Sequence, residues 1–91
     1  MKIIINKCYG GFSVKDEIEE EFRNRLSAYG SDIRTNPELV KMIEEGKDIS
    51  SPYSKLRVVD IPDNATDYLI QEYDGLESII YVVDGKLNVT Y

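Results

Sequence analysis

There is no histidine among these 91 residues, no tryptophan, and a single cysteine. Without histidine, Ser-His and Cys-His nucleophile pairs are excluded, and with them the commonest general base near neutral pH. With Cys8 alone, no intrachain disulfide forms, so a reducing compartment is the expected home. The four Cys or His ligands of a structural zinc site are also missing. No metal and no cofactor is expected, and the protein reads as a non-enzyme. Positive charge is scarce: 11 Lys and Arg stand against 17 Asp and Glu, a net charge of −6. That balance opposes direct nucleic-acid binding, which needs a basic stripe, and opposes docking on an anionic membrane. Long apolar runs are absent too. The run of isoleucines at 3–5 is far too short for a signal-peptide core or a transmembrane helix, and a cytoplasmic protein is expected.

What is present is enough for one core. Hydrophobic residues make up 42% of the chain, with seven tyrosines and two phenylalanines, so residues 1–91 read as a single domain that folds before it meets a partner. Residues 2–7 (KIIINK) predict a buried strand, broken by the Gly10-Gly11 tract. Ser13 with Asp16 is a weak capping box, and Val14, Ile18, Phe22, Leu26 and Tyr29 form one apolar stripe that predicts a helix ending at Gly30. Asn36-Pro37-Glu38 predicts a second helix, ended by Gly46. Residues 47–54 look least ordered. Residues 56–61 predict a strand, and the dipeptides Asp74-Gly75 and Asp84-Gly85 predict two tight hairpins.

If both hairpins have two-residue turns, Tyr73 pairs with Leu76, Ile70 with Ile79 and Tyr68 with Tyr81. In the second, Val83 pairs with Lys86, Val82 with Leu87 and Ile80 with Val89. One face then carries Leu69, Tyr73, Leu76, Ile80, Val82, Leu87, Val89 and Tyr91, and is expected to be the core face under the helices. The fold expected is α+β, in the order β-α-α-β-β-β-β: a mostly antiparallel sheet with two helices on one face.

The opposite face carries Tyr68, Ile70, Ile79 and Tyr81, rimmed by Glu72, Glu77 and Lys86. Tyrosine-rich patches with charged rims are typical of protein interfaces. The same face is equally well explained as covered by the 47–54 loop, by the N-terminal segment or by a twin subunit. Glu72 and Glu77 fall directly opposite each other, either solvated or awaiting a basic partner. The first predicted helix opens with Glu17, Glu20 and Glu21 among its acids, which suit the helix dipole and a solvated face. Arg23, Arg25, Lys41 and Lys55 interrupt the charge pattern that a DNA mimic would need. The Gly10-Gly11 turn, with Lys7 and Cys8 beside it, is either an anion cradle for a nucleotide signal or a tight packing turn. Asp63, Asn64 and Asp67 miss the spacing of a calcium loop.

Four segments carry a family resemblance. Residues 4–12 (IINKCYGGF), 34–40 (RTNPELV), 55–63 (KLRVVDIPD) and 70–75 (IQEYDG) resemble a family of small phage and prophage proteins. The chain departs from that pattern in a shorter stretch between Phe12 and Arg34, and in Ser78-Ile79 where the family has a tryptophan. The resemblance brings no activity to transfer. It implies a phage setting in a bacterial host, where small acidic proteins without catalytic residues include inhibitors of defence nucleases, anti-CRISPR proteins among them. On that expectation the partner is a basic protein surface, met by Tyr68, Tyr81, Ile70, Ile79, Glu72, Glu77, Glu17, Glu20 and Glu21. A structural or regulatory phage protein that acts as a homodimer through the Tyr68–Tyr81 face is the further alternative.

Overall fold

The three consecutive isoleucines are all buried, which an ordinary edge or half-buried strand does not allow. Strand β1 (Lys2–Asn6) pairs antiparallel with β2 (Leu56–Asp60), with Ile3 opposite Val59 and Ile5 opposite Arg57. Successive side chains leave a strand on opposite faces, so Ile4 points one way and Ile3 and Ile5 the other. This small sheet is therefore the middle of three layers. Burying each isoleucine contributes roughly 1.5–3 kcal/mol. The computed structural model describes residues 1–21 and 33–90.

On the Ile4 side lie the helices. Helix α1 is described over residues 16–21, and α2 spans Pro37–Glu44. Ile4, Val14, Leu39, Val40, Ile49 and Leu56 form the buried cluster there, with Phe12, Ile18 and Val58 against it. On the other side lie β3 (Asp67–Tyr73), β4 (Leu76–Val83) and β5 (Lys86–Thr90), in the order β3-β4-β5 and antiparallel throughout. Ile3, Ile5, Ile61 and Ile79 form the second cluster, joined by Val59, Tyr68, Ile70 and Tyr81. The α+β class and the order β-α-α-β-β-β-β are those expected. The strands divide into two sheets, and the helices cover one face of the smaller.

Both hairpins have the expected register, including Tyr68 opposite Tyr81 and Val82 opposite Leu87. Asp74 and Gly75 have φ of 50° and 89°, and Asp84 and Gly85 have 52° and 75°. Positive φ at both central residues is the type I′ geometry that matches strand twist.

The expectation of which face packs is reversed. Leu69, Tyr73, Leu87 and Val89 are exposed and Leu76, Ile80 and Val82 half-buried, whereas Ile79 is fully buried at the centre of the other face and Tyr68, Ile70 and Tyr81 beside it are half-buried. The cause is the middle layer. The second side of β1 needs cover, and the Tyr68–Ile79 face supplies it, so the N-terminal segment is what covers that face.

Two local expectations also shift. Helix α1 starts at residue 16, not near Val14; Val14 instead bridges to Ser50, and the Lys15 carbonyl accepts from the Glu19 N–H at 2.9 Å. Ser13 does not cap it: its hydroxyl meets Ser51 and its carbonyl accepts from the Ser54 hydroxyl at 2.6 Å. Phe22, Leu26, Tyr29 and Gly30, and Tyr91 of the expected core face, lie outside the described residues. The stretch 47–54 is tied down by these serines, by buried Ile49, and by the Ser50 hydroxyl accepting from the Leu56 N–H at 2.8 Å. Asp48 accepts from the Ser50 N–H at 2.9 Å, and this hydrogen bond holds its carboxyl below the ordinary aspartate range.

Helix α2 begins as its sequence dictates. The Asn36 Oδ1 accepts from the Glu38 and Leu39 N–H groups at 2.9 and 3.2 Å, with Pro37 in the first turn. Asn36→Ala is expected to lower stability by about 1 kcal/mol in urea unfolding, with activity in any binding assay unchanged.

Candidate interaction surfaces

The face proposed from sequence as a Tyr patch is closed. Tyr68, Ile70, Ile79 and Tyr81 pack on Ile3, Ile5 and Ile61, so they are not available as a docking surface in the folded chain. Glu77, on the same face, is 6% exposed and not a rim acid. Its carboxylate accepts from Arg34 twice, Nη1 to Oε1 at 2.8 Å and Nη2 to Oε2 at 2.7 Å, and from the Asn6 N–H at 2.8 Å. The Arg34 guanidinium also lies 3.9 Å from the centroid of the Phe12 ring, and its Nη1 donates to the Ile4 carbonyl at 3.2 Å. Such a forked, hydrogen-bonded pair is what allows a carboxylate to be buried at all. Glu72 does stand directly across from Glu77, as expected, yet the two have separate roles. Glu72 is exposed and accepts from the Gly75 N–H at 3.0 Å.

Arg34 and Asn6 are the residues that sequence reasoning missed. Asn6 is fully buried at the end of β1, where its Nδ2 donates to the Cys8 and Gly75 carbonyls at 2.7 and 2.6 Å, and its Oδ1 accepts from the Lys55 N–H at 2.8 Å. A polar residue directly after three isoleucines in a buried strand was the available signal.

The Gly10-Gly11 turn is a packing turn. A Cβ on Gly10 would sit 2.0 Å from the Tyr53 carbonyl oxygen, and one on Gly75 would sit 2.1 Å from the Gly11 nitrogen. Three backbones meet here. The turn is also separated from helix α1 by the Val14 bridge, so it does not form a strand-to-helix cradle. The depression of about 300 Å³ beside Lys7 is lined by the exposed Glu72, whose charge opposes an anion. The Cys8 Sγ lies 3.5 Å from both the Asn6 Oδ1 and the Tyr53 carbonyl oxygen. Among the described residues no group of three metal-ligating side chains comes together, and no helix is long and apolar enough to cross a membrane.

What remains open is the outer face of the three-stranded sheet. Across it run the rows Leu69–Ile80–Val89 and Asp67–Val82–Leu87, with Gln71 beside Ser78 and Tyr73 beside Leu76 at the hairpin end. Leu69, Tyr73 and Leu87 are 63%, 71% and 75% exposed. Asp67, at a corner, is the face's only charged side chain among the described residues. The acids Glu17, Glu20 and Glu21 are exposed on α1, in the opposite layer, with no ion pair among the described residues.

Comparison with known proteins finds no matching family model, no matching curated protein and no matching solved structure. The phage-family resemblance rests on the four quoted segments alone.

Proposed function

We propose that this chain acts by binding protein and not by catalysis. The observation that carries this reading is the outer face of β3-β4-β5, where exposed Leu69 and Val89 flank half-buried Ile80, exposed Leu87 lies beside half-buried Val82, and exposed Tyr73 lies beyond the Gln71–Ser78 row at the hairpin end. Isolated exposed apolar residues are ordinary, but a contiguous apolar face on a small soluble domain marks an association surface. The chain's lack of histidine supports the same reading, since the usual neutral-pH base is missing.

The sharper form of the proposal concerns the acidic side. The net charge of −6 and the exposed Glu17, Glu20 and Glu21 suit a basic partner surface. With the phage resemblance, the partner proposed is a bacterial defence nuclease in the host cytoplasm, a Cas nuclease above all, whose nucleic-acid-binding groove the acids would occupy. DNA cleavage by such a nuclease, titrated with the protein, tests this. Cleavage is expected to fall to near zero at a molar equivalent. The triple reversal Glu17→Lys, Glu20→Lys and Glu21→Lys is expected to weaken inhibition at least about tenfold, an effect that shrinks with added salt. Unchanged cleavage and no complex at large excess across a panel of such nucleases would rule out the inhibitor reading.

A further inference from the structure

We infer that the outer face of the three-stranded sheet is where two copies of this chain meet, face to face across a two-fold axis. This rests on reading that face as an association surface, and is independent of which other protein the acids engage.

Three observations select a second copy as the occupant. The first is composition. Among the described residues, Leu69, Tyr73, Leu76, Ile80, Val82, Leu87 and Val89 share the face with the uncharged Gln71 and Ser78, one acid, Asp67, at its corner, and no base. Interfaces with separate partners are about as apolar as the rest of a protein's surface, whereas homodimer interfaces are more so. A face almost without charge also offers a basic partner nothing to select, while it is matched to itself.

The second is where the charge lies. The three-layer order puts α1, with Glu17, Glu20 and Glu21, on the far side of β1 and β2 from this face. Two chains of net charge −6 that approach through their outer sheets keep those acids apart. Approach through the helix layers would bring them together.

The third is area. With strands about 4.8 Å apart and a rise of about 3.3 Å per residue, the face measures roughly 300 Å² in projection. Side-chain relief raises its accessible area to on the order of 500 Å², so a pair buries on the order of 1,000 Å², at the lower limit for a specific interface. The dimer is therefore reversible and concentration-dependent. Its two inner faces would stack about 10 Å apart with the Leu69–Ile80–Val89 row central, as sheets do in a sandwich. Two acidic helix layers would then point outward from one particle.

Sedimentation equilibrium from about 10 µM to about 1 mM, a range that brackets weak association, tests this under reducing conditions that keep Cys8 out of any cross-link. The wild-type mass is expected to rise from 10.4 kDa toward twice that value, and to do so at least as strongly at high salt. The double variant Leu69→Asp/Leu87→Asp is expected to stay at 10.4 kDa throughout, with unchanged far-ultraviolet circular dichroism because both side chains are exposed. Glu17→Lys is expected to leave the dimer intact. A wild-type mass that stays monomeric at every concentration would overturn the inference, as would a dimer that survives in the Leu69/Leu87 variant. The inhibitor reading fails by a different result, unchanged nuclease cleavage with the dimer intact, so the two are separable.

Discussion

Arg34→Ala is expected to cost about 3–5 kcal/mol, the range seen when one partner of a buried ion pair is removed. A domain of this length has a total stability of about 5–14 kcal/mol, so the variant is expected to unfold at markedly lower urea or not to fold at 37 °C. The loss arises because the Glu77 carboxylate, only 6% exposed, would keep a single hydrogen bond, from the Asn6 N–H. The Arg34 backbone carbonyl, which accepts from the Ile4 N–H at 2.8 Å, is untouched by the change, so the effect belongs to the guanidinium. Arg34→Lys is expected to recover only part of it, since an ammonium cannot reproduce the forked geometry. In a double-mutant cycle, Glu77→Ala made in the Arg34→Ala background is expected to cost far less than in the wild type. A cost below about 1 kcal/mol for Arg34→Ala would show that water reaches Glu77, and that the pair is no more than a surface ion pair.

Gly75→Ala and Gly85→Ala are expected to differ sharply although both alter an Asp-Gly type I′ turn. At Gly85, with φ of 75°, nothing lies within 4 Å of a new Cβ, so the cost is that of a non-glycine residue at positive φ, about 1–2 kcal/mol. At Gly75, with φ of 89°, the new Cβ would be 2.1 Å from the Gly11 nitrogen and 2.6 Å from the Gly10 nitrogen. Both are backbone atoms, and Gly10 is itself held against the Tyr53 carbonyl, so the turn has nowhere to retreat. A loss of at least about 3 kcal/mol is expected, in the range of the largest single-substitution effects. Thermal unfolding of the two variants side by side checks this; equal losses would mean that the junction of the three backbones yields easily.

The hairpins were legible because their determinants are local. Asp-Gly pairs set between strand-forming segments favour a two-residue turn and with it one register, and that register is the one observed. Helix α2 was legible for the same reason, through Asn36, Pro37 and Gly46. The start of α1 was misplaced because Val14 is drawn into a bridge with Ser50, a partner 36 residues along the chain that no local pattern names. Residues 47–54 looked least ordered because the serines that anchor them act through Ser13 and Leu56.

By itself, the sequence determined which side chains share a face, since the two-residue period of a strand follows from backbone geometry alone. It also held the clue to three layers, in an unbroken run of isoleucines too apolar to be covered on one side only. Only the tertiary structure decided which face of the second sheet turned inward. Both faces are apolar enough to pack, and the choice went to the one whose Glu77 finds Arg34 and Asn6 waiting across the layer boundary. A carboxylate can be buried only where such donors stand, and their meeting brings together residues 6, 34 and 77, which no spacing along the chain connects. That choice left Leu69, Tyr73, Leu87 and Val89 facing outward.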